Sequence, residues 1–265
     1  MKGKNKNKLI ILLGIIIVLL IIIILILLVK KGLPVSSNNK DVEVAYAYVS
    51  NKNLERCNGL VMYDKKKVTK DTLENATKIC MSYNLLDKNG EEVVLEKTKK
   101  KTTCALADDM VFALDNYEGD VCTVSKISKD DVHKKYKEIF GEELTLDESF
   151  TLDNVSVCHF NEGYYYCGLS ETYTYVYGAE PHTYRTIKSA YKKDDKLVIY
   201  DYFLRVINDE CYTSYMTNDK NDKCSKKYDA DEEMSYGFMK KNAKVYKHTF
   251  QKSGDSYYWV SSESN

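Results

Sequence analysis

The sequence predicts an α+β protein: one N-terminal transmembrane helix, then an extracytoplasmic, disulfide-stabilised region with an antiparallel β-meander and a few helices. Three observations predict it. Residues 9–29 are an unbroken apolar run, eight cysteines all lie beyond residue 56, and the second half repeats a period-two hairpin pattern.

Residues 9–29 read LIILLGIIIVLLIIIILILLV, 21 residues without a charged or polar side chain. At about 1.5 Å per residue, a helix of that length covers roughly 31 Å, close to the hydrocarbon thickness of a bilayer. Backbone amides in lipid must bond within the segment, which selects a helix. Lys2, Lys4, Lys6 and Lys8 precede the run; Lys30, Lys31 and Lys40 follow it, diluted by Asp41 and Glu43. That bias makes residues 1–8 a cytoplasmic basic stub and places the C-terminal region outside. The chain therefore reads as a signal-anchored, single-pass protein of the cell membrane. A cleaved signal peptide, giving a secreted protein, is the alternative. Its apolar core would be about 7–15 residues and would end in a small-x-small site, and this run has neither property.

The formal net charge of zero hides an asymmetry. The first 31 residues hold six lysines and no acid, so the remainder carries 33 basic against 39 acidic residues, a formal −6. A mildly acidic body argues against nucleic acid as a partner. The expected partners are membrane lipid, through residues 9–29, and a cell-surface polymer or protein. The 23 tyrosines and the excess of lysine over arginine fit the residue usage of an AT-rich genome.

The cysteines are Cys57, Cys80, Cys104, Cys122, Cys158, Cys167, Cys211 and Cys224. An even number, all beyond a membrane anchor, is the pattern of an oxidised framework. The closest spacing is Cys158 to Cys167, and no CxxC occurs, so zinc, thioredoxin-type and haem motifs are absent. One pair has a local warrant. If Glu162-Gly163 is a two-residue turn, Asn161 faces Tyr164, Phe160 faces Tyr165, His159 faces Tyr166 and Cys158 faces Cys167. Directly opposed residues lie about 4.5–5.5 Å apart at Cα, within disulfide reach. A three-residue turn with a bulge would break this register. Cys211–Cys224 would close a short polar loop, and proximity pairs Cys57 with Cys80 and Cys104 with Cys122.

Residues 30–41, KKGLPVSSNNKD, read as a stalk. The cysteines split four and four around residue 128, which suggests a mixed α/β subdomain over 42–127 and a helix-plus-hairpins subdomain over 128–265. One continuous domain is the alternative. In the first part, Asp71–Leu86 has a helical face, with Asp71 and Glu74 resembling a capping box. Strands are expected at Glu92–Lys97, Met110–Leu114 and Val121–Ser125. A second helix, Lys129–Phe140, is capped by Ser128, ended by Gly141 and buries Val132, Tyr136, Ile139 and Phe140. Three hairpins follow: Val155–Tyr177, Tyr184–Ile207 around Lys193-Asp194-Asp195, and Lys244–Val260 around Ser253-Gly254. Val198, Tyr200, Tyr202, Leu204 and Val206 share one strand face, and Tyr246, His248 and Phe250 another. Consecutive hairpins under a helix make a meander, an order that also occurs in cystatin-like and NTF2-like folds. That likeness of arrangement carries no function.

No catalytic, cofactor-binding or metal-ligating motif appears, so no cofactor is expected. A cysteine nucleophile at Cys104 would need an upstream histidine, and His133, His159, His182 and His248 all lie downstream. The acidic run Asp229–Glu233 lacks the glycine and spacing of a calcium loop. Two features could mark a binding surface: a tyrosine row, Tyr165, Tyr173, Tyr175 and Tyr177, and the long segment 208–236. The leading function is a binding or structural module of the cell surface. The alternative is a cell-envelope enzyme using carboxylates as acid and base, chemistry that leaves no short motif.

Overall fold

The computed structural model describes residues 3–57, 66–86, 90–99, 102–114, 121–145, 147–152, 155–171, 182–208, 210–213, 222–224 and 234–264. Helix α1 (Gly3–Lys31) leads into β1 (Leu33–Val35) and α2 (Lys40–Ser50). Next come β2 (Lys67–Thr69), α3 (Asn75–Asn84), β3 (Glu91–Glu96), β4 (Thr103–Ala107), β5 (Met110–Ala113), β6 (Val121–Ser128) and α4 (Lys129–Phe140). The chain finishes with β7 (Phe150–Thr151), β8 (Ser156–Asn161), β9 (Tyr164–Leu169), β10 (His182–Lys193), β11 (Lys196–Ile207), β12 (Glu210–Tyr212), α5 (Tyr236–Asn242), β13 (Lys244–Ser253) and β14 (Ser256–Ser264).

Every described side chain of α1, from 12 to 26, is exposed. The apolar run 9–29 extends past that stretch at both ends. Among the described residues no helix is long and apolar enough to cross a membrane.

The body is α+β, with antiparallel sheets and four disulfides. The larger sheet has seven strands, ordered β1-β10-β11-β13-β14-β2, with β12 beside β11. The second has five, ordered β3-β6-β9-β8-β7, and β4 pairs with β5 alone. The sequence pattern reads as one meander of three hairpins. The structure divides them: β10–β11 and β13–β14 build the larger sheet, whereas β8–β9 joins the second sheet beside β6. Strand β6 runs directly into α4, which packs on β14 of one sheet and β6 of the other. The main core extends from Val42 to Trp259. Both sheets take strands from either side of residue 128, and the boundary at 127/128 falls inside β6.

Residues 30–41 do not form a free stalk. Leu33–Val35 pair with Ala190–Lys192 as an edge strand, and Asn39 caps α2 by accepting from the Asp41 N–H at 3.0 Å. Proline is tolerated there because an edge strand can leave one side unpaired. Helix α2 itself buries Val42, Ala45, Tyr48 and Val49.

The 71–86 helix is shorter than its periodicity suggests. Residues Lys70–Thr72 form a 3-10 turn, in which the Thr69 N–H donates to Thr72 Oγ1 at 2.9 Å. Glu74 then stands at the N-cap of α3 without a side-chain cap bond, so the Asp71/Glu74 box is not made. Helix α4 follows its sequence signals. Ser128 Oγ accepts from the Asp130 N–H at 3.1 Å, Asp130 and Asp131 face the helix dipole, and Gly141 closes the helix at φ 69°. A side chain at Gly141 would also meet the Tyr258 ring at 2.6 Å.

Strand β11 is buried on both faces over much of its length. Leu197, Ile199 and Phe203 enter the main core, while Tyr202 and Leu204 pack with Cys211 and Met239 in a smaller cluster. The even-numbered face read from the sequence is therefore the secondary one. The face with Tyr246, His248 and Phe250 is buried.

Candidate functional site

The four disulfides are Cys57–Cys80, Cys104–Cys122, Cys158–Cys167 and Cys211–Cys224. The β8–β9 register matches the two-residue turn throughout: Asn161 faces Tyr164 and Cys158 faces Cys167, with a Cα–Cα distance of 4.1 Å. Gly163 adopts φ 85° and Glu162 φ 46°, as a turn with two left-handed positions requires. The other Cα–Cα distances, 5.3 to 6.0 Å, lie within the normal disulfide range.

The tyrosine row is not brought to a surface at Tyr165. That ring is 0 % exposed, wedged between Phe150 and Phe160 at 5.5 and 5.2 Å. Burial, with the charges of Asp147 and Glu148, pushes its phenol up. Tyr165 faces Phe160 across the hairpin, and its ring lies in the main core beside Phe150. Tyr173, Tyr175 and Tyr177 lie outside the described residues, as do Asp229–Glu233 and most of 208–236.

One constellation has the outward form of a nucleophilic triad. Strands β11, β13 and β14 bring Asp201, His248 and Ser262 together on one face of the larger sheet, Ser262 directly opposite His248 and Asp201 on a diagonal from it. His248 Nδ1 lies 2.6 Å from Ser262 Oγ, and His248 Nε2 lies 3.1 Å from Asp201 Oδ1. Tyr46, from α2, donates its O–H to Asp201 Oδ2 at 2.9 Å. Trp259 donates its indole N–H to Ser262 Oγ at 3.0 Å. A carboxylate only accepts, so Nε2 carries a hydrogen toward Asp201.

This row cannot attack a substrate. Asp201, His248 and Ser262 are each 0 % exposed, and the Ser262 oxygen already receives the Trp259 N–H. A nucleophile must meet its substrate at about 3–3.5 Å, which a sealed hydroxyl cannot do. The row instead ties α2 to three strands. Sequence reasoning placed His248 on an aromatic strand face but missed Asp201. The signal was present: Asp201 shares strand parity with Leu197, Ile199 and Phe203, so a period-two reading puts a carboxylate in the core.

Among the described residues, a cleft of about 400 Å³ opens between α4 and the β3–β6 pair. Glu91, Lys126, Asp131, Lys134, Lys135 and Glu138 line it, three acids and three lysines. Lys135 and Glu138 pair at 2.7 Å, and the Lys126 ammonium sits 4.2 Å from the Tyr164 ring centroid. Such a surface suits a polar ligand with both charges, or a peptide. Among the described residues no cluster of three His, Cys, Asp or Glu side chains could hold a metal ion.

Two ionic clusters hold the helix layer. Glu142 receives Lys78 at 2.8 Å, Lys70 at 3.1 Å and the Tyr136 O–H at 3.2 Å. Burial by itself would raise the Glu142 carboxyl, but the hydrogen bonds and charges of Lys78 and Lys70 outweigh it and hold it below the usual carboxylate range. Asp147 is lowered in the same way: burial opposes, and Lys129 and His133 prevail. A lowered folded-state value contributes stability that is present above the unfolded value, about 4.3 for Glu, and disappears as pH falls through the folded one. We therefore expect the urea midpoint of Glu142→Gln to fall below that of the parent at neutral pH. The two should converge as pH drops below about 4. A gap that stays constant through acidification would show that the carboxylate charge is not the source.

Compared with protein-family models, curated proteins and solved structures, the chain matches none.

Proposed function

We propose that this chain is a single-pass membrane protein with a cytoplasmic N-terminus, whose extracytoplasmic body is a binding or structural module of the cell surface. The observation that carries the reading is the pairing of all eight cysteines beyond an apolar, solvent-exposed helix. A bare apolar helix needs lipid to cover it, and four disulfides persist in an oxidising compartment. The run 9–29 supplies the span, and the cleft along α4 is the recognition surface, directed at a charged polymer or protein.

The test has two arms. In membranes from cells expressing the chain, alkaline carbonate should leave it in the pellet, and protease added to intact cells should digest the body. Thiol labelling of denatured, unreduced protein should modify no cysteine, and labelling after reduction should modify all eight. Extraction into the soluble fraction would remove the anchor. Ready labelling without reductant would remove the extracytoplasmic placement.

A further inference from the structure

The junction between α1 and the body has no slack. Helix α1 ends at Lys31, Gly32 is buried at φ +92°, and Leu33 already pairs with Lys192. A Cβ on Gly32 would stand 2.4 Å from the Lys192 carbonyl oxygen and 2.8 Å from Lys193 Cβ, so the glycine is pressed onto the end of β10. After β1 the chain turns, with the Asn39 N–H donating to the Ser36 carbonyl at 3.1 Å, and enters α2. One residue, at most about 3.6 Å of chain, separates the helix from the sheet.

The surface beside this junction is formed by two hairpin turns. Lys193, Asp194, Asp195 and Lys196 are exposed at the first. Lys196 faces Gln251, and the Lys252 N–H donates to the Asp195 carbonyl at 2.7 Å, so the 253–256 turn lies at the same end of the sheet. Lys193, Lys196 and Lys252 are exposed there with Asp194, Asp195 and Asp255. In sequence, Lys30 and Lys31 directly precede Gly32. Leu33, 65 % exposed, is an apolar side chain with no cover at the same point.

We propose that the body rests directly on the outer surface of the bilayer that holds α1, with the Lys193–Lys196 turn among the lipid headgroups. The inference depends on reading α1 as a membrane span. Its occupant is the phospholipid surface itself: lysines near phosphate groups are attracted to them, and Leu33 gains cover at the acyl boundary. A consequence is reach. Without a tether, the body can contact only what comes to the membrane face.

The experiment uses the full chain in nanodiscs of phosphatidylethanolamine and phosphatidylglycerol. Single nitroxides are placed by Leu19→Cys in α1, Asp195→Cys in the turn and Lys240→Cys on α5, and the accessibility of each to oxygen and to a water-soluble nickel chelate is measured. The expected result is a deep label at 19, a label at 195 shielded several-fold from nickel, and a label at 240 open to it. A ten-residue Gly-Ser insertion between Lys31 and Gly32 should make 195 as open as 240. A deep label at 19 with an open label at 195 would overturn the docking alone. A label at 19 that is open to nickel would overturn the anchor reading beneath it. Shielding at 195 that survives the insertion would show that the short junction is not what holds the body down.

Discussion

Asp201→Ala is expected to lower the stability of the body by about 2–5 kcal/mol, because it removes one acceptor from two donors at once. The His248 Nε2–H and the Tyr46 O–H both point at this carboxylate, at 3.1 and 2.9 Å, and Asp201 and His248 are fully buried. A buried donor left without its acceptor costs about 1–3 kcal/mol, and here α2 also loses its polar tie to β11. Asp201→Asn keeps the shape and one acceptor oxygen, so its loss should be smaller. Ser262→Ala should cost less again, since it takes a neutral hydroxyl, rather than a charged acceptor, away from its partners. The measurement is the urea transition of the detergent-solubilised chain, followed by circular dichroism. A loss under about 1 kcal/mol for Asp201→Ala would mean that the row does not hold the sheet and helix together. A serine-directed phosphonate should leave Ser262 unlabelled; labelling would reopen the catalytic reading of the row.

Replacing both Cys57 and Cys80 by alanine should cost about 3 kcal/mol from chain entropy, since the bridge closes a segment with a sequence separation of 23. The bond fastens the 3-10 turn Lys52–Cys57 to α3, and both sulfurs lie in the main core at 4 % and 0 % exposure. Asn84, at the end of α3, donates to Cys57 Sγ at 3.0 Å and to the Cys80 carbonyl at 3.0 Å, so the pair also organises a buried amide. The Cys158–Cys167 bridge closes a separation of only 9 within a hairpin already held by strand pairing. Its removal should therefore cost less. Peptide mapping without reduction checks the connectivity first, and urea midpoints of the two double variants under oxidising conditions check the order. The reverse order would show that packing around the cysteines, rather than loop closure, sets their worth.

The parts legible in the sequence are those specified within a few residues. Helix α4 could be read because Ser128, the Asp130-Asp131 pair and Gly141 each act on the adjacent backbone. The β8–β9 register, and with it Cys158–Cys167, could be read because a two-residue turn leaves the pairing no freedom. Where local signals conflict, the sequence leaves the element open. VEVAYAYV in α2 alternates like a strand, yet Val42, Ala45 and Val49 also fall at helical spacing, and packing on β11 and β14 selected the helix. Residues 33–35 look like a stalk, because nothing local announces that β10 offers them an edge.

The sequence by itself determined the apolar run, its flanking charge, the even set of cysteines and the hairpin turns. These depend on hydropathy, counting and short-range backbone geometry. Only the tertiary structure decided that the hairpins divide between two sheets, that Tyr165 turns inward, and that Asp201, His248 and Ser262 meet. The physical reason is the same in each case: strand partners and core faces are chosen by residues far apart in the chain, competing to bury apolar surface while leaving no buried polar group unpaired. The stalk shows it most plainly. Its composition is that of a linker, but the open strand edge at Ala190–Lys192, distant in the chain, pairs with residues 33–35 and makes them an edge strand of the body.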